Sequence, residues 1–152
     1  MSYLPYVESS RELLAYQKAK AIAIAKEIFQ LTKAFPREEA YSLIDQIRRS
    51  SRSIGAQTGE AWGKRSYEKH FISKLTDADG EQLEMQHWID TTADCGYLNT
   101  TQASSLVKQC EEIGRLLGGM IAKSAKFCST APPAVVREDA AVILLATKAM
   151  AN

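Results

Sequence analysis

The chain has 152 residues, 45% of them hydrophobic and 24% charged, with a formal net charge of +1. These values describe a foldable globular chain and exclude both a disordered chain and one that is basic throughout. Any affinity for nucleic acid must therefore come from a local concentration of charge.

Four segments of helical period follow one another along the chain. The first is expected from about Arg11 to Ala34, with Ser9 or Ser10 as N-cap. Its apolar stripe is Leu14, Gln17, Ala21, Ile24, Ile28, Leu31 and Phe35. Ile22, Ala25 and Phe29 widen that face, which implies burial on more than one side. Pro36 ends the segment and suits the start of the next. The second, about Glu38 to Lys64, carries Ala40, Ile44, Ile47, Ser51, Ile54, Thr58 and Ala61. Small residues fill its second half, and each glycine inside a helix costs up to about 1 kcal/mol against alanine. A helix kept thin for the close approach of another, or kinked near Gly55, is expected.

Gly63 closes the second segment, and Ser66 is placed to cap a third from about Tyr67 to Asp94. Its stripe is Phe71, Leu75, Ala78, Gln82, Met85 and Ile89, with Ile72, Leu83 and Trp88 alongside. Cys95-Gly96-Tyr97-Leu98 reads as a C-terminal stop with Gly96 in the left-handed position. Thr100 or Thr101 then caps a fourth helix with Ala103, Leu106, Cys110, Ile113, Leu117, Met120, Ser124 and Phe127 facing inward. Gly118-Gly119 within it suggests close packing. Such short connections predict an all-α, antiparallel up-down-up-down four-helix bundle over residues 11–128. It is preceded by an N-terminal segment, 1–10, and followed by an extension, 129–152. Pro132 and Pro133 mark the linker to a possible short helix from Arg137 to Met150, a tail expected to dock on the bundle or on a neighbouring subunit.

The longest apolar run, Ala140 to Ala146, falls far short of the roughly 18 residues that suggest a membrane span. Met1 to Pro5 has no basic stretch followed by an apolar one, so no secretory signal is expected. Cys95, Cys110 and Cys128 are odd in number and lack Cys-x-x-Cys spacing. They read as reduced thiols of a cytoplasmic protein, with Cys110 in the core.

Catalytic patterns are sparse. A di-metal bundle site needs two Glu-x-x-His motifs and two further glutamates. Glu84-Met85-Gln86-His87 supplies one motif, but His70, the other histidine, has Tyr67 three residues before it. No obvious set of nucleophile, base and orienting group surrounds either histidine, and no phosphate-loop or dinucleotide fingerprint is present. The chain is therefore read as non-enzymatic, with no cofactor and no metal.

Charge is sorted along the sequence. From Arg48 to Lys74 seven basic residues (Arg48, Arg49, Arg52, Lys64, Arg65, Lys69 and Lys74) face two acids, a local net of +5. From Asp77 to Glu112 eight acids face Lys108 alone, a net of −7. Three readings stay open. The seven cations form a phosphate-binding surface, with Trp62, Tyr67 and Phe71 near enough to stack on bases. Or they form ordinary surface pairs, such as Asp45 with Arg49 and Glu60 with Lys64. Or the basic face of one subunit meets the acidic face of the next.

Several stretches carry a resemblance: Gln46-Ile47-Arg48-Arg49-Ser50-Ser51-Arg52-Ser53-Ile54, then Gly59-Glu60-Ala61, Phe71-Ile72, and Leu75 with Gly80 and Leu83-Glu84. Gly96-Tyr97-Leu98 and Glu112-Ile113-Gly114-Arg115-Leu116-Leu117 belong to the same pattern, as do Gln17-Lys18-Ala19, Leu31-Thr32-Lys33 and Phe35-Pro36. Over about residues 11–127 the chain resembles the four-helix bundle proteins encoded within 23S ribosomal RNA intervening sequences. The resemblance implies a bacterial homopentamer without enzymatic activity. Relatives include the accessory variability proteins of diversity-generating retroelements, which bind nucleic acid and a reverse transcriptase through basic surfaces. The implied partners are thus further copies of the chain, RNA or DNA, and a protein such as a reverse transcriptase. A scaffold or adaptor whose charged faces serve subunit contacts is the alternative. One departure is clear: this chain has Ser53-Ile54-Gly55-Ala56-Gln57-Thr58-Gly59-Glu60-Ala61 where the family usually has Ser-Ile-Pro-Ala-Asn-Ile-Ala-Glu-Gly.

Overall fold

Pro36, which cannot donate a backbone hydrogen bond, and Gly96, the described non-helical corner with positive φ, divide the chain where helices must stop. A computed structural model describes residues 10–128, and these are helical apart from short connections. The long helices are α1 (Ser10–Thr32), α2 (Leu43–Gly63), α3 (Glu68–Asp94) and α4 (Thr100–Ala122), followed by the short α5 (Ser124–Cys128). The N-terminal segment before α1 and the expected tail helix over 137–150 lie outside the described residues.

The core is the set of inward stripes. Ala21, Ile24 and Ile28 of α1, Ile47 and Ile54 of α2, all six stripe residues of α3, and Leu106, Cys110, Ile113, Leu117 and Met120 of α4 are buried. Phe71 and Phe127 stack with ring centroids 5.5 Å apart, which fastens α5 to the start of α3. Side-chain contacts show which helices are neighbours. Arg48 of α2 meets Thr32 of α1, and further along Gly55 lies opposite Ala21. Arg49 reaches Glu81 and Glu84 of α3, whereas Gln57 and Glu60 meet Lys74. Glu68 accepts from Ser124, and Gln82 lies against Gly114. Tyr16 and Lys20 meet Glu112, and Glu27 meets Gln109. Between α1 and α2, and between α2 and α3, residues later in one helix meet residues earlier in the other.

Several boundaries differ from expectation. Residues 37–39 form a 3-10 turn, and α2 begins at Leu43 instead of Glu38. The reason is Glu39, whose carboxylate accepts from the Ser42 hydroxyl at 2.6 Å and from the Leu43 N–H at 3.4 Å. The Leu43 N–H is one of the backbone donors that a helix start leaves orphaned. Tyr67, not Ser66, is the N-cap residue of α3. At α4, Asn99 displaces the expected threonines. Its side chain accepts from Gln102 N–H at 2.8 Å while the Gln102 side chain accepts from Asn99 N–H at 3.0 Å, a reciprocal capping box.

The stop after α3 is as expected. Gly96 has φ of +78°, Gly96 N–H bonds Ala93 C=O, and Tyr97 N–H reaches back to Thr92 C=O. That is the Schellman pattern, with Leu98 buried beyond it. The glycine expectations divide. α2 runs unbroken through Gly55, where an added Cβ would lie an ordinary 3.8 Å from the Ala21 Cβ. A Cβ added at Gly118 or Gly119 would meet nothing within 4 Å among the described residues, so neither marks close packing there. The close approach is at Gly114, where a Cβ would stand 2.8 Å from Gln82 Nε2.

Candidate functional site

Arginine and lysine prefer to lay their apolar stems on hydrophobic surface and their charge over an aromatic face. Phe29, half-buried on α1, offers such a face between α1 and α2. Lys33 Nζ lies 4.7 Å from its ring centre, Arg48 Cζ 4.8 Å and Arg52 Cζ 5.8 Å. Arg48 is fixed further, because its Nε–H donates to the Thr32 hydroxyl at 2.8 Å. Thr32 in turn donates back into the last turn of α1, to Ile28 C=O at 2.8 Å. Arg48 and Arg52 also border an open groove of about 490 Å³ on α2, together with Arg49, Asp45, Ile44 and Ala40. Lys33 and Phe29 carry no mark in a charge count of α2 and α3. The signal for them is the four-residue spacing of Phe29 and Lys33 across the C-terminal end of α1.

Two of the seven expected cations are occupied within the chain. Arg49 pairs with Glu84 and, at 3.3 Å, with Glu81, so the expected partner Asp45 is displaced by two carboxylates of α3. The hydrogen bond that Arg49 donates to Glu84, joined by the charges of Glu84 and Glu81, raises the Arg49 pKa despite burial. Lys74 lies 3.0 Å from Glu60 and 3.6 Å from Asp77, and donates to Gln57. Its pKa is likewise raised, chiefly by the Glu60 hydrogen bond. Glu60 is thus joined to Lys74 across the helices, not to Lys64 along its own. The local excesses of +5 and −7 in sequence partly cancel where α2 meets α3.

The remaining cations lie at the α2–α3 corner. Arg65 stacks on Trp62, 4.2 Å from the ring centre, and donates to the Trp62 carbonyl at 3.0 Å. Lys64 and Lys69 are exposed, and Tyr67, 69% exposed, meets His70 edge-on at 5.8 Å. Phe71 is core. Of the three aromatics proposed near the basic end, only Tyr67 presents most of its ring to solvent, while Trp62 is already covered by Arg65. Among the described residues, Arg48, Arg52, Lys64, Arg65, Lys69 and Lys33 make no ion pair with a carboxylate within 4.0 Å.

The Glu84-x-x-His87 motif serves structure. Glu84 accepts from the Trp88 indole N–H at 3.1 Å and from Arg49, and the Trp88 bond leads in holding its carboxyl below the ordinary 4.5 against the pull of burial. His87 lies edge-on to Trp88. Among the described residues no three His, Cys, Asp or Glu side chains group to hold a metal ion, and no helix is long and apolar enough to cross a membrane. The cysteines are free thiols, and burial pushes Cys110 up to about 12, far from a reactive thiolate.

Comparison with known proteins places this geometry in context. No curated protein matches the chain. Among solved structures, a protein of unknown function from the S23 ribosomal protein family of Bacteroides thetaiotaomicron is similar, with a TM-score of 0.66 and 31% identity. The match covers 72% of this chain and 98% of that one. The family model of the 23S rRNA-intervening sequence protein matches residues 11–119, the span from the first turn of α1 nearly to the end of α4. The chain belongs to the 23S rRNA-intervening sequence protein family.

Proposed function

We propose that the chain is a non-enzymatic, up-down-up-down helical bundle that self-associates and binds nucleic acid, RNA in particular, through basic residues of α2 and the start of α3. The observation that carries this reading is the selective neutralisation of its cations. Glu81 and Glu84 of α3 take Arg49, and Glu60 of α2 with Asp77 of α3 takes Lys74, while among the described residues Arg48, Arg52, Lys64, Arg65 and Lys69 have no carboxylate within 4.0 Å. Uncompensated surface cations raise the local potential and release counterions when phosphates replace them. The family name, drawn from a ribosomal RNA insertion, agrees with such a partner without establishing it.

The test is fluorescence anisotropy of a labelled single-stranded RNA against salt. Affinity falls steeply with salt, with a slope of about 0.7 per phosphate contact on a single strand. Substituting Lys64, Arg65 and Lys69 together by glutamine weakens binding while the melting temperature holds. Binding independent of salt refutes the reading.

A second reading, a scaffold built by subunit contacts, is favoured by the outer face of α1. Ile22 is 64% exposed there, beside Ala15, Ala19 and the half-buried Trp62. An exposed apolar group of this kind commonly marks an interaction surface. Ile22→Glu then lowers the mass seen by light scattering. An unchanged mass removes α1 from the subunit contact, and the homopentamer with it if no assembly is seen at all.

A further inference from the structure

Three like charges gather around one aromatic ring, and among the described residues none of them is paired with a carboxylate. Lys33, Arg48 and Arg52 approach the Phe29 ring to 4.7, 4.8 and 5.8 Å. Among the described residues none of the three has a carboxylate within 4.0 Å. The cluster is nevertheless held in place: Arg48 is pinned by Thr32, and Phe29 supplies a common apolar seat. Because Arg48 spends its Nε–H on Thr32, its terminal N–H groups remain available as paired donors, the geometry that suits a phosphate.

We infer that Lys33, Arg48 and Arg52 on Phe29 form a cradle for one phosphodiester of a bound nucleic-acid strand. For its ligand the inference rests on the nucleic-acid reading above, and it adds α1 to a surface otherwise drawn on α2 and α3. The groove of about 490 Å³ beside Arg48 and Arg52 receives the attached sugar and base, with Ala40 and Ile44 as apolar wall. Asp45 borders the same groove and disfavours a second anion there. It is suited instead to accept from a base N–H. The second group of unpaired cations, at the far end of α2, is separated from Arg48 by sixteen residues, roughly 24 Å at 1.5 Å per residue. The cradle is thus a phosphate site of its own and can be tested apart from Lys64, Arg65 and Lys69.

The test uses Lys33→Gln with Arg52→Gln in one chain. Both side chains are exposed and the Arg48–Thr32 bond is untouched, so the fold is retained, as an unchanged melting temperature will verify. In anisotropy with single-stranded RNA, affinity falls roughly tenfold and the salt slope drops by about 0.7 for each lost contact. In parallel, inorganic pyrophosphate is titrated into 15N-labelled protein. The Arg48 and Arg52 Nε–H resonances of the wild type shift and saturate, and Arg48 in the double variant does not.

If the double variant binds RNA as the wild type does, while glutamine at Lys64, Arg65 and Lys69 abolishes binding, the cradle is overturned and the nucleic-acid reading survives. If the wild type binds no RNA, that reading falls, and pyrophosphate alone decides the cradle. Saturating shifts at both arginines uphold an anion site on Phe29, and unmoved resonances overturn it.

Discussion

Gln17 has the face of a core residue and the chemistry of a surface one. It is 0% exposed, and neither its amide nitrogen nor its amide oxygen has a hydrogen-bond partner among the described residues. A buried amide left without partners costs about 1–3 kcal/mol. Gln17→Met, close in volume and free of that cost, is expected to raise stability by about that amount in urea unfolding. A lower midpoint would show that the amide is satisfied in solution. Glu84 shows the opposite case, a polar group well supplied with donors. Its pKa is depressed, so its contribution is fully present above the ordinary 4.5 and is lost as pH falls through the lower folded value. Trp88→Phe removes the leading donor. The stability gap between the two proteins should therefore narrow below about pH 4.5, leaving a packing difference that does not vary with pH. Burial at this scale was legible from spacing, since all six stripe residues of α3 are inside. Partners were not, because Arg49 chose Glu81 and Glu84, more than thirty residues away, over Asp45. A sequence offers i,i+4 neighbours readily and cross-helix neighbours only once register is known.

At the scale of elements, helices were easier to find than their ends. The start of α2 lies beyond the one that Pro36 suggested, where Glu39 accepts from Leu43 N–H, and α4 is capped by Asn99 in place of the expected threonines. Competition between equally plausible caps is settled by side-chain geometry, which composition does not contain. The same holds for glycines: the sequence drew attention to α2, yet the tight contact is between α3 and α4. Gln82 is anchored there by Asp79 at 2.9 Å and by Gln86 at 2.8 Å, so it cannot easily yield to a Cβ at residue 114. Gly114→Ala should destabilise by about 1–3 kcal/mol, the usual range for overpacking. In a Gln82→Ala background most of that loss should vanish. A double-mutant cycle by thermal or urea unfolding measures the coupling, and additive costs would mean the two residues do not clash.

For the whole molecule, the charge blocks seen in sequence serve two ends. Where α2 meets α3 they neutralise each other, and at Phe29 and the α2–α3 corner, among the described residues, they do not. Arg49→Glu therefore belongs with stability before it belongs with binding. It places a third carboxylate beside Glu81 and Glu84, and its cost in unfolding should exceed the 0.2–1 kcal/mol or so typical of losing an exposed pair. A variant with unchanged stability and weakened RNA binding would return Arg49 to the binding surface. The legible part of the candidate site was thus its charge, and the hidden part was which charges remain unspent. Lys33 was hidden for a related reason, since it joins Arg48 and Arg52 only once α1 lies beside α2. The corner between α3 and α4 has a different consequence, one for the order of events in folding. Its Schellman stop and its capping box satisfy one another's neighbourhood entirely within residues 92–102. Closing so short a loop costs little chain entropy compared with bringing α1 to α4. The α3–α4 hairpin is thus placed to form in the transition state, setting the register onto which α1 and α2 later condense. Asn99→Ala should accordingly slow refolding, whereas Tyr16→Phe, across the α1–α4 seam, should mainly quicken unfolding.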